Sequence, residues 1–99
     1  MFTYHGFRYV EVSGWPFDVT TDMVVGLFFR SAVTPIGTTS FPGNPNTTVL
    51  NQLQHAVFWG QGCNLMSVPS DCPQRDERKG WMGDSGLSQE TMHFNYDMV

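Results

Sequence analysis

The sequence predicts an α+β chain in which the end of a β domain runs into the start of an all-α domain. Three observations carry this. Two aromatic and β-branched runs lie before residue 31, the segment 31–46 is broken by proline and glycine, and the hydrophobic period after it becomes helical.

The first run, residues 2–12, sets Phe7, Tyr9 and Glu11 against Arg8, Val10 and Val12. This is a strand pattern, interrupted at Gly6 and closed by the turn Gly14-Trp15-Pro16. The second, MVVGLFFR at residues 23–30, is almost continuously apolar and predicts a strand buried on both faces. Residues 31–46 hold Pro35, Gly37, Pro42, Gly43 and Pro45 among Ser and Thr, and read as a linker at a domain boundary. Val49, Leu50, Leu53, Ala56 and Val57 then form one stripe of an amphipathic helix. Asn46, Thr47 or Thr48 can cap its start, and Gly60 and Gly62 are expected to end it. Residues 63–84 read as loop with one or two helical turns near 75–81. A last helix is expected from Asp84 or Ser85, with Leu87, Thr91, Phe94 and Met98 on its apolar stripe. Strands, linker, helix, loop and helix in this order do not make a self-contained fold.

Composition narrows the functional classes. Only 14 % of the 99 residues are charged and 14 % are aromatic, a balance suited to the inside of a larger body. The net charge of −4 and the absence of a basic patch argue against nucleic acid as a partner. No apolar run reaches the roughly 20 residues of a membrane span, and Met1 to His5 lack the pattern of a signal peptide. Cys63 and Cys72 are expected as free thiols. The sequon Asn46-Thr47-Thr48 has meaning only in a secreted protein. No metal site is expected: His5, His55 and His93 lie far apart, and the acids do not follow an EF-hand spacing. The glycines form neither a dinucleotide fingerprint nor a P-loop.

Charge is concentrated in one place. Seven of the fourteen charged residues fall in 71–84, DCPQRDERKGWMGD. Clustered carboxylates repel, so one of them tends to hold its proton and can act as a general acid. Arg75 can orient a neighbouring carboxylate, and Trp81 offers a flat apolar face to a sugar ring. Acid, acceptors and aromatic platform are the parts of a glycosidase site. A helix over 77–84 would put Glu77, Trp81 and Asp84 on one face; a compact glycine-containing loop could do the same. The same residues also admit a plainer reading, with the charges as solvated surface, Trp81 as core and Asp84 as a helix cap.

The run Ser67 to Asp84, SVPSDCPQRDERKGWMGD, resembles the signature of the bacterial-type α-L-rhamnosidases. Phe2 to Gly14, FTYHGFRYVEVSG, is similar to the last strand region before that family's catalytic domain. Leu50 to Pro69, LNQLQHAVFWGQGCNLMSVP, is similar to its first catalytic helix and exit. The resemblance spans most of residues 2–98 and is weakest over 16–46. It implies the end of a β-sandwich domain (1–30), a linker (31–46), and the first helices of an (α/α)6 barrel (47–99), truncated here. It implies hydrolysis of terminal α-L-rhamnose with inversion and no cofactor, on a rhamnose-containing glycoside or oligosaccharide. By position Glu77 falls at the general acid, Asp71, Arg75 and Asp84 at groups touching the rhamnose hydroxyls, and Trp81 at a pocket wall. The family's general base is a glutamate further downstream than this chain reaches, and Glu90 lies outside any matching motif. Lys79 stands where a smaller apolar residue is common. The 99 residues are therefore expected to be an internal piece, inactive and poorly soluble alone. Two other readings remain: a rhamnose-binding module or pseudoenzyme, and an ion-paired brace between the β and α domains.

Overall fold

A computed structural model describes residues 3–43 and 46–99. Phe2, at the head of the first expected strand, and Pro45, in the expected linker, fall outside them. Along the chain come a short 3-10 turn (Thr21–Met23), helix α1 (Thr47–Cys63), the two-residue strands β1 (Leu65–Met66) and β2 (Val68–Pro69), and helix α2 (Met82–Asn95).

The α half follows the expected order, with corrected boundaries. Helix α1 opens at Thr47, which puts Asn46 in the capping position. It does not end at Gly60 or Gly62 but runs through both. Asn64 closes it, its backbone N–H donating to Gln61 and Gly62 carbonyls and its side-chain amide to the Gly60 carbonyl at 2.9 Å. Gly62 is there for packing: a Cβ would lie 3.0 Å from the Tyr96 hydroxyl and 3.4 Å from Arg30 Nη1. Helix α2 starts before Asp84, with Trp81 at its N-cap. Asp84 therefore sits inside the first turn, where the helix dipole favours a negative charge. No helical turn forms over 75–81.

The apolar stripes face outward at Val49, Leu50 and Leu53 and at Leu87 and Phe94. Leu53 of α1 is 59 % exposed and Leu87 of α2 is 89 % exposed. The helices meet instead through a polar ladder. Gln54 Nε2 donates to Asn95 Oδ1 at 2.8 Å, and Asn95 Nδ2 donates to Gln61 Oε1 at 2.7 Å. The small core of Leu65, Met92 and Tyr96 lies beside it, with Val33, Phe58 and Met98 packed on. Tyr96 stacks on Phe58 with ring centroids 4.7 Å apart and donates to the Phe58 carbonyl at 2.7 Å. Burial pushes the Tyr96 phenol above its usual pKa, and Arg30, 5.1 Å over the ring, works against the shift.

Residues 31–36 are an irregular strap bonded to this core. Ser31 N–H donates to the Leu65 carbonyl at 2.7 Å and Asp97 N–H to the Thr34 carbonyl at 2.8 Å, while Pro35 bridges Tyr96. Further on, the Asn51 side-chain amide pairs with both backbone groups of Phe41, at 2.9 and 3.0 Å.

The expected strands at 2–12 and 23–30 are not found among the described residues: no pair of strands forms before residue 31. An extended segment becomes a strand only when a neighbour takes its N–H and C=O groups. Among the described residues no second extended segment pairs with either of them. Val25, Leu27 and Phe29, expected to be buried, are exposed. The interruption at Gly6 has a contact behind it. Gly6 N–H donates to the Pro73 carbonyl at 2.6 Å, and a Cβ there would come within 3.1 Å of Pro73. The N-terminal segment thus rests on the acidic loop, where Arg78 also lies 5.7 Å over the Tyr4 ring.

Candidate active site

The loop after α1 is shaped by backbone bonds first. The β1–β2 hairpin turns on Ser67 (φ +66°), whose N–H donates to Ser31 Oγ. Ser70 N–H donates to the Asn64 carbonyl at 2.7 Å, and Asp71 N–H to the Lys79 carbonyl at 2.9 Å. Lys79 N–H returns a bond to Asp71 Oδ1 at 2.7 Å. This reciprocal pair closes the 71–79 segment into a ring. It uses only the backbone of Lys79, so the side chain at that position is free to vary.

Inside the ring the charges are ordered around one nitrogen. Arg75 Nη2 lies 3.1 Å from Asp71 Oδ2 and 2.8 Å from Glu77 Oε2. The Trp81 indole N–H donates to Glu77 Oε1 at 2.9 Å. Asp71 has a side chain only 8 % exposed, whereas Arg75 is 61 % exposed and covers the pair from outside. The Cys72 thiol, the Lys79 N–H and the Arg75 guanidinium all stabilise the Asp71 carboxylate. Partial desolvation opposes them, and the carboxyl is held down to about 2. Asp71 first, then Cys72 and Glu77, raise the pKa of Arg75 further above its usual value. Asp76 fits the plainer reading, being fully exposed, but its partner Arg78, 3.4 Å away, has a side chain only 17 % exposed.

Asp71, Trp81 and Asp84 line one cleft of about 240 Å³, together with Gln61, Asn64, Ser85 and Ser88. Glu77 and Arg75 do not line it; Glu77 is tied to it by the Trp81 N–H and Arg75 by Asp71. The five candidate residues are therefore brought together by a loop and the first turn of α2, not by a helix over 77–84. A larger cavity of about 530 Å³ lies elsewhere, between residues 3–7, 26–29, Cys63 and Pro73, away from the carboxylates. Asp71, Cys72 and Glu77 offer ligand atoms within 4.8 Å of one another. That spacing would suit a cation, and Arg75 Nη2 already supplies one between the two carboxylates. Both cysteines are free thiols, as expected, with Cys72 buried. Among the described residues, no helix is long and apolar enough to cross a membrane.

Sequence reasoning missed Cys72 as a partner of Asp71, and the cleft wall of Ser85, Ser88 and Met92. The signal for the wall was present as an i, i+3, i+7 spacing, hidden by the more apolar Leu87–Phe94 stripe.

A guanidinium bridging two carboxylates beside an indole, next to a cleft lined from both helices, leaves the family open. The comparisons narrow it. Residues 40–99 match the bacterial alpha-L-rhamnosidase 6 hairpin glycosidase domain, and residues 1–30 match the bacterial alpha-L-rhamnosidase concanavalin-like domain. The chain belongs to the bacterial α-L-rhamnosidase family. It is 41 % identical over 96 residues to an alpha-L-rhamnosidase of Streptomyces avermitilis, covering 97 % of this chain and 9 % of that protein. It is 43 % identical over 99 residues to one of Formosa agariphila, covering 98 % of this chain and 10 % of that protein. The solved alpha-L-rhamnosidase from Dictyoglumus thermophilum superimposes with a TM-score of 0.79 at 45 % identity, over 95 % of this chain and 10 % of that one. The chain thus spans about a tenth of the length of the relatives it matches.

Proposed function

We propose that the longer polypeptide to which these residues belong hydrolyses terminal non-reducing α-L-rhamnose residues with inversion. Glu77 is the general acid, Asp71, Arg75 and Asp84 hold the sugar hydroxyls, and Trp81 walls the pocket. The observation that carries this is the Asp71–Arg75–Glu77–Trp81 constellation on a family-matching loop, at the rim of a cleft. Inversion needs a base across the ring from the acid, with a water between them. Asp71 is unsuited to that part: Lys79 N–H occupies one of its oxygens, Arg75 the other, and its carboxyl is held down to about 2. In this reading the base is a glutamate further along the longer polypeptide, as the resemblance to the family implies, and these 99 residues alone are inactive. In the longer chain, residues 1–30 pair into the end of a β-sandwich, residues 31–46 link, and residues 47–99 begin an (α/α)6 barrel. The unpaired extended segments and the outward apolar stripes of both helices support that arrangement.

The test is hydrolysis of a rhamnosyl disaccharide and a chromogenic α-L-rhamnoside by the full-length parent and its Glu77→Gln form. Loss of a general acid lowers the rate on the disaccharide by about 10² or more, and less on the chromogenic substrate, whose leaving group needs little help. A parent inert toward both substrates refutes the activity, and an active Glu77→Gln form refutes the acid.

A further inference from the structure

We infer that Trp81 is a positioning residue for the acid as well as a wall of the pocket: its indole N–H takes Glu77 Oε1 and leaves the transferable proton to Oε2. This rests on Glu77 being the general acid. The indole nitrogen is a donor only. An oxygen facing it at 2.9 Å is engaged as an acceptor and is the poorer place for a proton. The other oxygen faces Arg75, also a donor only, at 2.8 Å. The two partners differ in permanence. Trp81 is half exposed, but its backbone is held as the N-cap of α2, where Ser85 N–H donates to its carbonyl at 2.9 Å, and its indole turns about only two side-chain bonds. The Arg75 guanidinium ends a long side chain that is 61 % exposed and has a second anchor in Asp71, so it can leave Oε2 while staying with Asp71. When Glu77 takes up a proton, Arg75 releases Oε2 and Trp81 keeps Oε1. The carboxyl then holds one rotamer, with its O–H on the side Arg75 has left. The ring that lines the cleft and the N–H that orients the acid belong to one side chain, so stacking a sugar on Trp81 also registers it against the proton.

The experiment separates the N–H from the ring. In the full-length parent, position 81 is replaced by 3-benzothienylalanine, which keeps the bicyclic shape and puts sulfur where the N–H was. Trp81→Phe is made beside it as a second variant in case one fails to fold. We expect the sulfur analogue to lose about tenfold or more in kcat on a rhamnosyl disaccharide, to keep KM near the parent value, and to lose far less on an aryl rhamnoside with a good leaving group. Trp81→Phe should show the same substrate-dependent kcat loss together with a raised KM. Unchanged kcat in the sulfur analogue, or equal losses on both substrates, overturns the inference. Glu77→Gln in the same series separates the two levels. If it remains active on the disaccharide, the acid assignment fails and takes this inference with it. If it collapses while the sulfur analogue behaves as the parent does, only the role of the N–H fails.

Discussion

Gly62 on α1 faces the Tyr96 hydroxyl beyond α2 so closely that a Cβ on Gly62 would sit 3.0 Å from that oxygen. The hydroxyl cannot step aside. Tyr96 is 1 % exposed, stacked on Phe58 and bonded to the Phe58 carbonyl at 2.7 Å. Gly60, two residues earlier, has nothing within 4 Å of where its Cβ would be. The two glycines therefore predict opposite outcomes. Gly60→Ala gains helix propensity and stabilises the parent protein by up to about 1 kcal/mol. Gly62→Ala gains the same propensity but overpacks the junction, for a net loss of about 1–3 kcal/mol. Thermal unfolding of both variants checks this, and shifts of the same sign would refute the packing role of Gly62.

Asn95 predicts a coupled loss. It is buried, accepts from Gln54 and donates to Gln61, so truncation strands two partly buried amides. Asn95→Ala should cost about 1–3 kcal/mol. A double-mutant cycle with Gln54→Ala should return a coupling energy of roughly 0.5 kcal/mol or more. Additive single losses would mean that the ladder is incidental to helix pairing.

Much of this architecture was legible beforehand. Two helices joined by a loop follow from period and breakers, and the acidic loop announces itself by charge density. The helix faces were not legible, because the amphipathic rule assumes that the apolar stripe is the one that packs. Here Leu53 and Leu87 point outward, while Gln54, Gln61 and Asn95 carry the contact. A polar ladder has no hydrophobic period to detect. The two glycines of α1 misled for a related reason: their spacing suggests a stop, and only the approach of Tyr96 shows why Gly62 is glycine. The expected strands failed because a strand is a property of a pair, and the sequence shows one member at a time. In the loop, the residue types pointed to a site, but one guanidinium nitrogen spanning two carboxylates is a fact of geometry alone.

Asp71 predicts a pH window. Its carboxyl falls from the ordinary 3.8 to about 2 in the folded chain, through the Cys72 thiol, the Lys79 N–H and Arg75. A depressed folded-state pKa stabilises the fold where the group is ionised in both states, above about pH 4, and that contribution is lost as pH falls toward about 2. The melting temperature of the parent should exceed that of Asp71→Asn by a constant margin from pH 7 down to about pH 5. The margin should shrink below about pH 4. A margin equally large at pH 3 and pH 7 would mean that ionisation of Asp71 does not hold the loop.

Arg75 distinguishes a charge from a fork. A single nitrogen, Nη2, touches both Asp71 and Glu77, so the bridge uses the guanidinium as a point charge and not as a bidentate clamp. Lysine can supply a point charge, whereas glutamine cannot. Arg75→Gln leaves two carboxylates whose oxygens lie within 4.8 Å facing each other without a cation. It should lower kcat/KM on a rhamnosyl disaccharide by about 10- to 100-fold, the scale of one charged hydrogen bond. Arg75→Lys should recover part of that loss, limited by its shorter reach. If lysine is as damaging as glutamine, the planar fork itself is what the site requires, and the other guanidinium nitrogens then contact the sugar hydroxyls once substrate is bound.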